Sequence, residues 1–254
     1  MRDNPEAQMT MTLDAPQAPH PRPWGIVMTI AWIVATVIAI AIASFVAIVM
    51  WFPDAPLNSP EFAKDARAFG VLFMVTVVAE TAVLMAAARL AGWRPTDYLG
   101  LIWPDRRDAI TAFVWVAGFV LVFDALTYLL GKDVVTPFQI ELYNSAAASN
   151  SLLLMWFTLV VAAPVGEEIL FRGFLFRGWA QSGRAVLPAI VIISAFWAII
   201  HTQYDWFGIA QIFLIGLLLG WVRWRSGSTL LTIALHGLIN AWATLQTFVK
   251  ATWL

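Results

Sequence analysis

Residues 151–177, SLLLMWFTLVVAAPVGEEILFRGFLFR, form an apolar stretch that carries Glu167, Glu168 and Arg172 in its second half. A stretch of about 20 mostly apolar residues is long enough to cross a bilayer as a helix. Charged side chains inside a bilayer are energetically costly, so they are rare and usually functional. The stretch therefore predicts a membrane-spanning helix with a functional site inside the membrane.

The composition of the whole chain is typical of an integral membrane protein. Of its 254 residues, 61% are hydrophobic and 12% are charged, whereas soluble domains have roughly 45–50% apolar and about 25% charged residues. Backbone polar groups in lipid must be satisfied within the segment, so we expect helices rather than open strands. The predicted fold is an all-α, polytopic transmembrane helical bundle of about seven spans: 24–52, 69–91, 109–130, 151–177, 185–202, 206–223 and 229–249.

The remaining sequence contains no second folding unit. Residues 1–23 are polar and rich in proline, which predicts a disordered tail, and residues 24–254 are predicted to form a single transmembrane domain. The Pro164–Gly166 segment predicts a kink or break just before Glu167. The chain has no cysteine, which excludes disulfides, thiol catalysis and cysteine-based metal sites. No nucleic-acid motif is present.

Lys and Arg side chains are unevenly distributed between the two sides of the predicted bundle. The N-terminal side holds Arg2, Arg22, Arg89, Arg94, Arg106, Arg107, Arg177, Arg184, Arg223 and Arg225, and the opposite side holds Lys64, Arg67, Lys132 and Lys250. Because cytoplasmic loops carry the excess of basic residues, we expect a cytoplasmic N-terminus and an external C-terminus. The expected location is the cell membrane, as a multi-pass protein of a bacterial inner membrane.

Two further polar clusters lie in other predicted spans. His201 closes one span, and His236 and Asn240 lie one turn apart on the last span, so they share a helix face. If the fourth and fifth spans form a hairpin at Ser182–Gly183, the rise per residue brings Glu167 and His201 to nearly the same height. We therefore expect the clusters to converge in one polar cavity.

These four side chains have the functional groups required for peptide-bond hydrolysis. A carboxylate beside an imidazole, as at Glu167 and His201, can hold and activate a water as general base. A second imidazole and an amide, at His236 and Asn240, can donate hydrogen bonds to a developing oxyanion. The set needs no serine, cysteine or metal, and we expect no cofactor and no metal.

The two adjacent glutamates have different predicted roles. Glu167 and Glu168 are about 100° apart on a helix, so only one can face a water squarely. Glu168 and Arg172 are four residues apart and can pair, which lowers the cost of burying each charge. The spacing favours Glu167 as the base, with Glu168 and Arg172 as a supporting pair.

The three clusters together resemble the motifs of the CPBP family, the CAAX prenyl endopeptidase and bacteriocin-processing group, also called the abortive-infection family. Its motifs are EExxxR, FxxxH and HxxxN on separate spans. Glu167, Glu168 and Arg172 match the first motif, and His236 and Asn240 match the third.

The second motif departs from the family pattern. His201 matches its histidine, but Trp197 stands where the family has Phe, with Phe196 beside it. The resemblance covers roughly residues 95–245. It implies membrane-embedded proteolysis, in which the first Glu and the middle His activate water and the last His and Asn form the oxyanion hole.

Other functions remain open at the level of the sequence. A catalytically silent immunity or scaffold protein of the same fold would retain these side chains as helix cross-links. A transporter could use buried acids and histidines as proton relays, although no inverted repeat is visible. Two histidines and a glutamate could also bind zinc, but Asn240 is a poor fourth ligand.

Several acids outside the motifs have structural interpretations as well. Asp205, four residues after His201, could orient the imidazole or lie at the water interface. Glu80 and Asp124 are read as interior polar contacts, with a substrate-facing role as the alternative. The expected partners are a peptide or membrane-protein substrate and the lipid bilayer, without nucleic acid. The sequence does not specify the substrate or the oligomeric state.

Overall fold

The computed structural model of the protein describes residues 21–57, 59, 62 and 64–253. These residues form helices and no strand, in the order α1 (Ile26–Trp51), α2 (Ala66–Leu90), α3 (Pro95–Tyr98), α4 (Arg106–Leu129), α5 (Pro137–Ala148), α6 (Leu152–Trp179), α7 (Gly183–Ile199), α8 (Trp206–Ser226) and α9 (Thr229–Trp253). The predicted all-α polytopic bundle is confirmed. Most of the predicted tail, residues 1–20, lies outside the described residues.

Within the described part of the chain, five helices are long and apolar enough to cross a membrane, namely α1, α2, α4, α6 and α8. Helix α7 is apolar but has only 17 residues. Helix α9 has 25 residues and carries His236, Asn240 and Lys250 among its apolar residues. The predicted count of seven spans and the division into tail and domain therefore stay predictions.

Aspartate side chains start three of the long helices. Asp65 accepts hydrogen bonds from the backbone N–H groups of Arg67 and Ala68, at 2.8 and 3.1 Å. Asp105 and Asp205 cap α4 and α8 in the same way. Such a cap satisfies N–H groups that have no partner within the helix. Asp205 therefore has a structural partner at a helix start, and it forms no hydrogen bond or ion pair with His201.

Helix α5 was not among the predicted spans. It begins with a capping box in which Thr136 and Gln139 exchange hydrogen bonds, and Pro137 takes the first helical position. Its buried residues, Leu142 and Ala146, pack with Met155 at the start of α6. The link between the predicted third and fourth spans is therefore an ordered helix that packs against the start of α6.

Helices α7 and α8 cross closely at two glycines. A Cβ atom on Gly216 would lie 2.9 Å from the Cβ of Ser194, and one on Gly220 would lie 2.9 Å from Cγ2 of Ile190. Real Cβ atoms do not approach other atoms so closely, so only glycine fits at both positions. The crossing fixes α7, and with it Trp197 and His201, against α8.

Helix α6 continues through Glu167, so the predicted break is wrong, and the predicted kink stays a prediction. The helix runs on through Pro164, and its hydrogen-bond pattern widens to that of a π-helix over Thr158–Ala162 and Ile169–Leu175. Such π segments often occur at functional sites. The widening accommodates the proline without ending the helix.

Candidate active site

A cavity of about 600 Å³ lies among the helices that carry the three motifs. Glu167 of α6, Trp197 of α7 and His236 and Asn240 of α9 line it, together with His201 from the loop after α7. Its size falls in the range of ligand-binding pockets. The structure therefore brings the predicted base, imidazoles and amide to one cavity, while Glu168 and Arg172 lie behind its wall.

Glu167 and His201 face each other across part of this cavity. Oε2 of Glu167 lies 4.0 Å from Nε2 of His201, and the two side chains are 21% and 17% exposed. Nδ1 of His201 lies 2.6 Å from the carbonyl oxygen of Trp197. A carbonyl can only accept, so Nδ1 carries a proton, and in the neutral imidazole Nε2 then presents its lone pair toward Glu167.

Trp197 contacts almost every polar group of the site. Its indole N–H donates to Oε2 of Glu167 at 2.5 Å, while its carbonyl accepts from His201. The guanidinium carbon of Arg172 lies 4.4 Å from the centre of its ring. The rings of His201 and His236 both meet it edge-on, with centroids 5.3 Å away. The sequence alone identifies this position only as a substituted aromatic.

Glu168, Arg172 and His236 form a buried polar cluster. Oε1 of Glu168 accepts from Nη1 of Arg172 at 2.8 Å and from Nδ1 of His236 at 3.0 Å. The side chains of Glu168 and Arg172 are 0% and 1% exposed. Glu167 thus faces the cavity and Glu168 the interior, as the helix spacing predicts. With its Nδ1 proton directed at Glu168, His236 has an Nε2–H donor only when the ring is doubly protonated.

Asn240 binds the backbone of α6. Its Nδ2 donates to the carbonyl oxygen of Leu159 at 2.8 Å. In the π segment Ala163 N–H donates to the Thr158 carbonyl, so the next N–H in this pattern would come from Pro164, which has none. The Asn240 amide replaces the missing donor. Its second N–H remains for a group in the cavity.

Tyr204 also lines the cavity, although no sequence motif singles it out. Its ring lies 6.4 Å from that of His201. Burial and the Glu167 carboxylate raise the pKa of Tyr204 to about 12. The phenol therefore stays protonated near neutral pH and can donate a hydrogen bond to an anionic oxygen.

The other acids occupy different environments. Glu80 is 7% exposed, and its Oε1 has no hydrogen-bond partner within the described part of the chain. Glu80 does not line the cavity, whereas Asp124 does. Asp205 lies 3.6 Å from Lys132 at the surface. Among residues 21–57, 59, 62 and 64–253, no group of three or more His, Asp or Glu side chains could hold a metal ion.

Comparison with known proteins agrees with these motifs. Residues 149–242, which contain all six predicted site residues, match the family model described as Type II CAAX prenyl endopeptidase Rce1-like. The predicted resemblance to the CAAX prenyl endopeptidase group is confirmed over this segment. No solved structure matches the chain.

Three curated bacterial proteins are similar to the chain. An uncharacterized 24.3 kDa protein of Escherichia coli is 31% identical over 132 residues, which cover 48% of this chain and 58% of that protein. The UPF0177 protein YbdI of Lactococcus lactis is 29% identical over 105 residues, which cover 37% of this chain and 54% of YbdI. UPF0177 protein YxdF of the same species is 23% identical over 147 residues, 54% of this chain and 80% of YxdF.

The chain thus spans little more than half the length of the first two relatives. Its apolar helices and the family match make it a multi-pass membrane protein. Over residues 149–242, it is similar to the Rce1-like type II CAAX prenyl endopeptidase family.

Proposed function

We propose that the protein is an intramembrane endopeptidase in which Glu167 and His201 activate a water for attack on a peptide bond. The observation that carries the proposal is their separation of 4.0 Å at the cavity wall. Both groups can accept hydrogen bonds from the cavity, since a neutral His201 uses its Nδ1 proton on the Trp197 carbonyl. A water between them can donate one proton to each, so that its lone pairs point toward the substrate.

The remaining groups are suited to the later steps of hydrolysis. One proton of the water passes to Glu167 as the oxygen attacks the carbonyl carbon, which forms a tetrahedral oxyanion. The free N–H of Asn240 and the protonated phenol of Tyr204 can donate to this oxyanion, as can a doubly protonated His236. Return of the proton from Glu167 to the amide nitrogen then breaks the C–N bond and gives a carboxylic acid and an amine.

Trp197 holds the two catalytic groups in this arrangement. Its side chain fixes the carboxylate of Glu167 and its main chain fixes the tautomer of His201. We assign it as a positioning residue, because its ring is 3% exposed and packs against the cation of Arg172.

The proposal is tested with the full chain reconstituted in lipid nanodiscs and a peptide library. New termini are identified by mass spectrometry for the wild type, Glu167→Gln and a control, Glu141→Gln, which removes an exposed carboxylate paired with Lys64 away from the cavity. We expect cleavage by the wild type and the control only. Because no metal takes part, a chelator should leave the cleavage rate unchanged.

A catalytically silent scaffold is the second candidate. The Asn240 amide binds the α6 backbone and His236 binds Glu168, and such bonds would also serve a purely structural role. If no peptide is cleaved while peptides still bind to the wild type and to Glu167→Gln alike, this candidate replaces the protease.

A further inference from the structure

The wall of the cavity carries three carboxylates and no Lys or Arg among the described residues. Glu167 faces His201, and Asp133 is paired with Lys250 at 2.7 Å. Asp124 forms no ion pair within residues 21–57 and 64–253. It is the one carboxylate of this wall with neither a cation nor an imidazole beside it.

Neutral groups hold Asp124 in place. Its Oδ2 accepts from the indole N–H of Trp242 at 2.9 Å and from Nε2 of Gln246 at 2.8 Å. Its Oδ1 has no hydrogen-bond partner in the described part of the chain. Two donors from α9 thus orient one oxygen and leave the other open toward the cavity. Asp124 is only partly buried, and its negative charge has no counter-charge among the described residues, so the site is complementary to a cation.

The aromatic side chains around Asp124 suit a cation as well. Trp242, Phe119 and Phe123 line the same cavity, and the two phenylalanine rings stack with centroids 4.3 Å apart. The faces of aromatic rings attract ammonium and guanidinium groups, most strongly at Trp. A Lys or Arg side chain could lay its aliphatic stem on these rings and bring its charge to Asp124.

The distance from Asp124 to the catalytic groups follows from α9. The midpoint between Trp242 and Gln246 lies six residues beyond the midpoint between His236 and Asn240, which corresponds to about 9 Å at a rise of ~1.5 Å per residue. An extended peptide covers about 3.3 Å per residue. A side chain bound at Asp124 therefore belongs to a residue about three positions from the scissile bond.

We propose that Asp124 and Trp242 form a substrate subsite that binds a Lys or Arg side chain about three residues from the cleaved bond. The inference rests on the proposed function, because it specifies the substrate class of the same cavity. Its alternative is that Asp124 only links α4 to α9 through Trp242 and Gln246.

The substitution Asp124→Asn separates these two roles, because asparagine keeps an oxygen that accepts from Trp242 and Gln246 and removes the charge. The matched control is Asp133→Asn, which removes a second cavity carboxylate, one that already has Lys250 as its partner. A third variant, Asp124→Lys, reverses the charge.

Cleavage sites in the peptide library are compared among these proteins in nanodiscs. We expect the wild type and Asp133→Asn to favour Lys or Arg about three positions from the new terminus. We consider two peptides that differ only in having Lys or Gln at this position. Asp124→Asn should reduce the ratio of kcat/KM for the Lys peptide to kcat/KM for the Gln peptide by about tenfold. The variant Asp124→Lys should favour peptides with Asp or Glu at the same position.

If the wild type cleaves peptides without a preference for Lys or Arg, the subsite proposal is wrong and the proposed protease function stands. The same conclusion follows if Asp124→Asn and Asp133→Asn change the preference equally. If no peptide is cleaved, the proposed function fails. The subsite is then tested by binding, as the set of library peptides that immobilised Glu167→Gln protein retains. Retention of Lys- and Arg-containing peptides, lost when Asp124→Asn is added, would support the subsite. Retention that does not depend on the charge of the peptide would overturn it.

Discussion

Replacement of Trp197 by Phe tests the arrangement of the catalytic groups most directly. Phe retains an aromatic ring beside Arg172 but removes the N–H that donates to Glu167 at 2.5 Å. Hydrogen bonds to charged groups contribute about 1.5–3 kcal/mol, and each ~1.4 kcal/mol is a factor of ten in rate. We therefore expect kcat to fall by about 10- to 100-fold, with a much smaller change in KM.

The measurement uses a peptide that the wild type cleaves, with kcat and KM determined separately in nanodiscs. The control is Trp179→Phe, which removes an indole N–H that donates to Thr29 at 2.7 Å outside the cavity. A second variant carries 3-benzothienylalanine at position 197, which keeps the two fused rings without the N–H. If kcat of both 197 variants equals that of Trp179→Phe, the indole N–H does not position Glu167 and the reasoning is wrong.

Three further predictions concern the cluster, the phenol and the orientation. Glu168→Gln leaves Arg172 buried without its counter-ion, so we expect a loss of about 3–5 kcal/mol in stability and poor recovery of folded protein, seen by size-exclusion chromatography in detergent. Tyr204→Phe should lower kcat by about tenfold and leave the shape of the pH profile between about pH 5 and about pH 9 unchanged. A phenol whose pKa is raised to about 12 binds its proton throughout that range, and a shifted limb would contradict this. A reporter fused after α9 should be active only on the external side, and cytoplasmic activity would reject the orientation drawn from the Lys and Arg distribution.

Much of the fold and of the cavity could be predicted because their signals are local in the sequence. Long apolar stretches gave α1, α2, α4, α6 and α8. The hairpin at Ser182–Gly183 is found, since α6 ends at Trp179 and α7 begins at Gly183. Helical spacing alone separated the cavity-facing Glu167 from the buried Glu168.

Features that depend on contacts between distant segments could not be predicted. The path of α6 through Pro164 requires a side chain from α9, 76 residues later, to supply a hydrogen bond at Leu159. The role of Trp197 depends on which group accepts a hydrogen bond from its indole N–H. A motif that specifies only an aromatic residue does not identify that acceptor. Helix α5 is short and polar residues interrupt its apolar ones, so its apolar pattern is too weak to distinguish it from a loop.

The ion pair within α6 has a consequence for the biosynthesis of the protein. A charged residue at the centre of a helix costs about 2.5–3.5 kcal/mol during insertion by the translocon. Glu168 and Arg172 lie one turn apart on the same helix, so they can neutralise each other while α6 enters the membrane. His236 belongs to α9, which is translated after α6. The charges of Glu168 and Arg172 are thus compensated within α6 without any contribution from α9, and the packing of α9 against α6 adds His236 and Asn240 to the cavity.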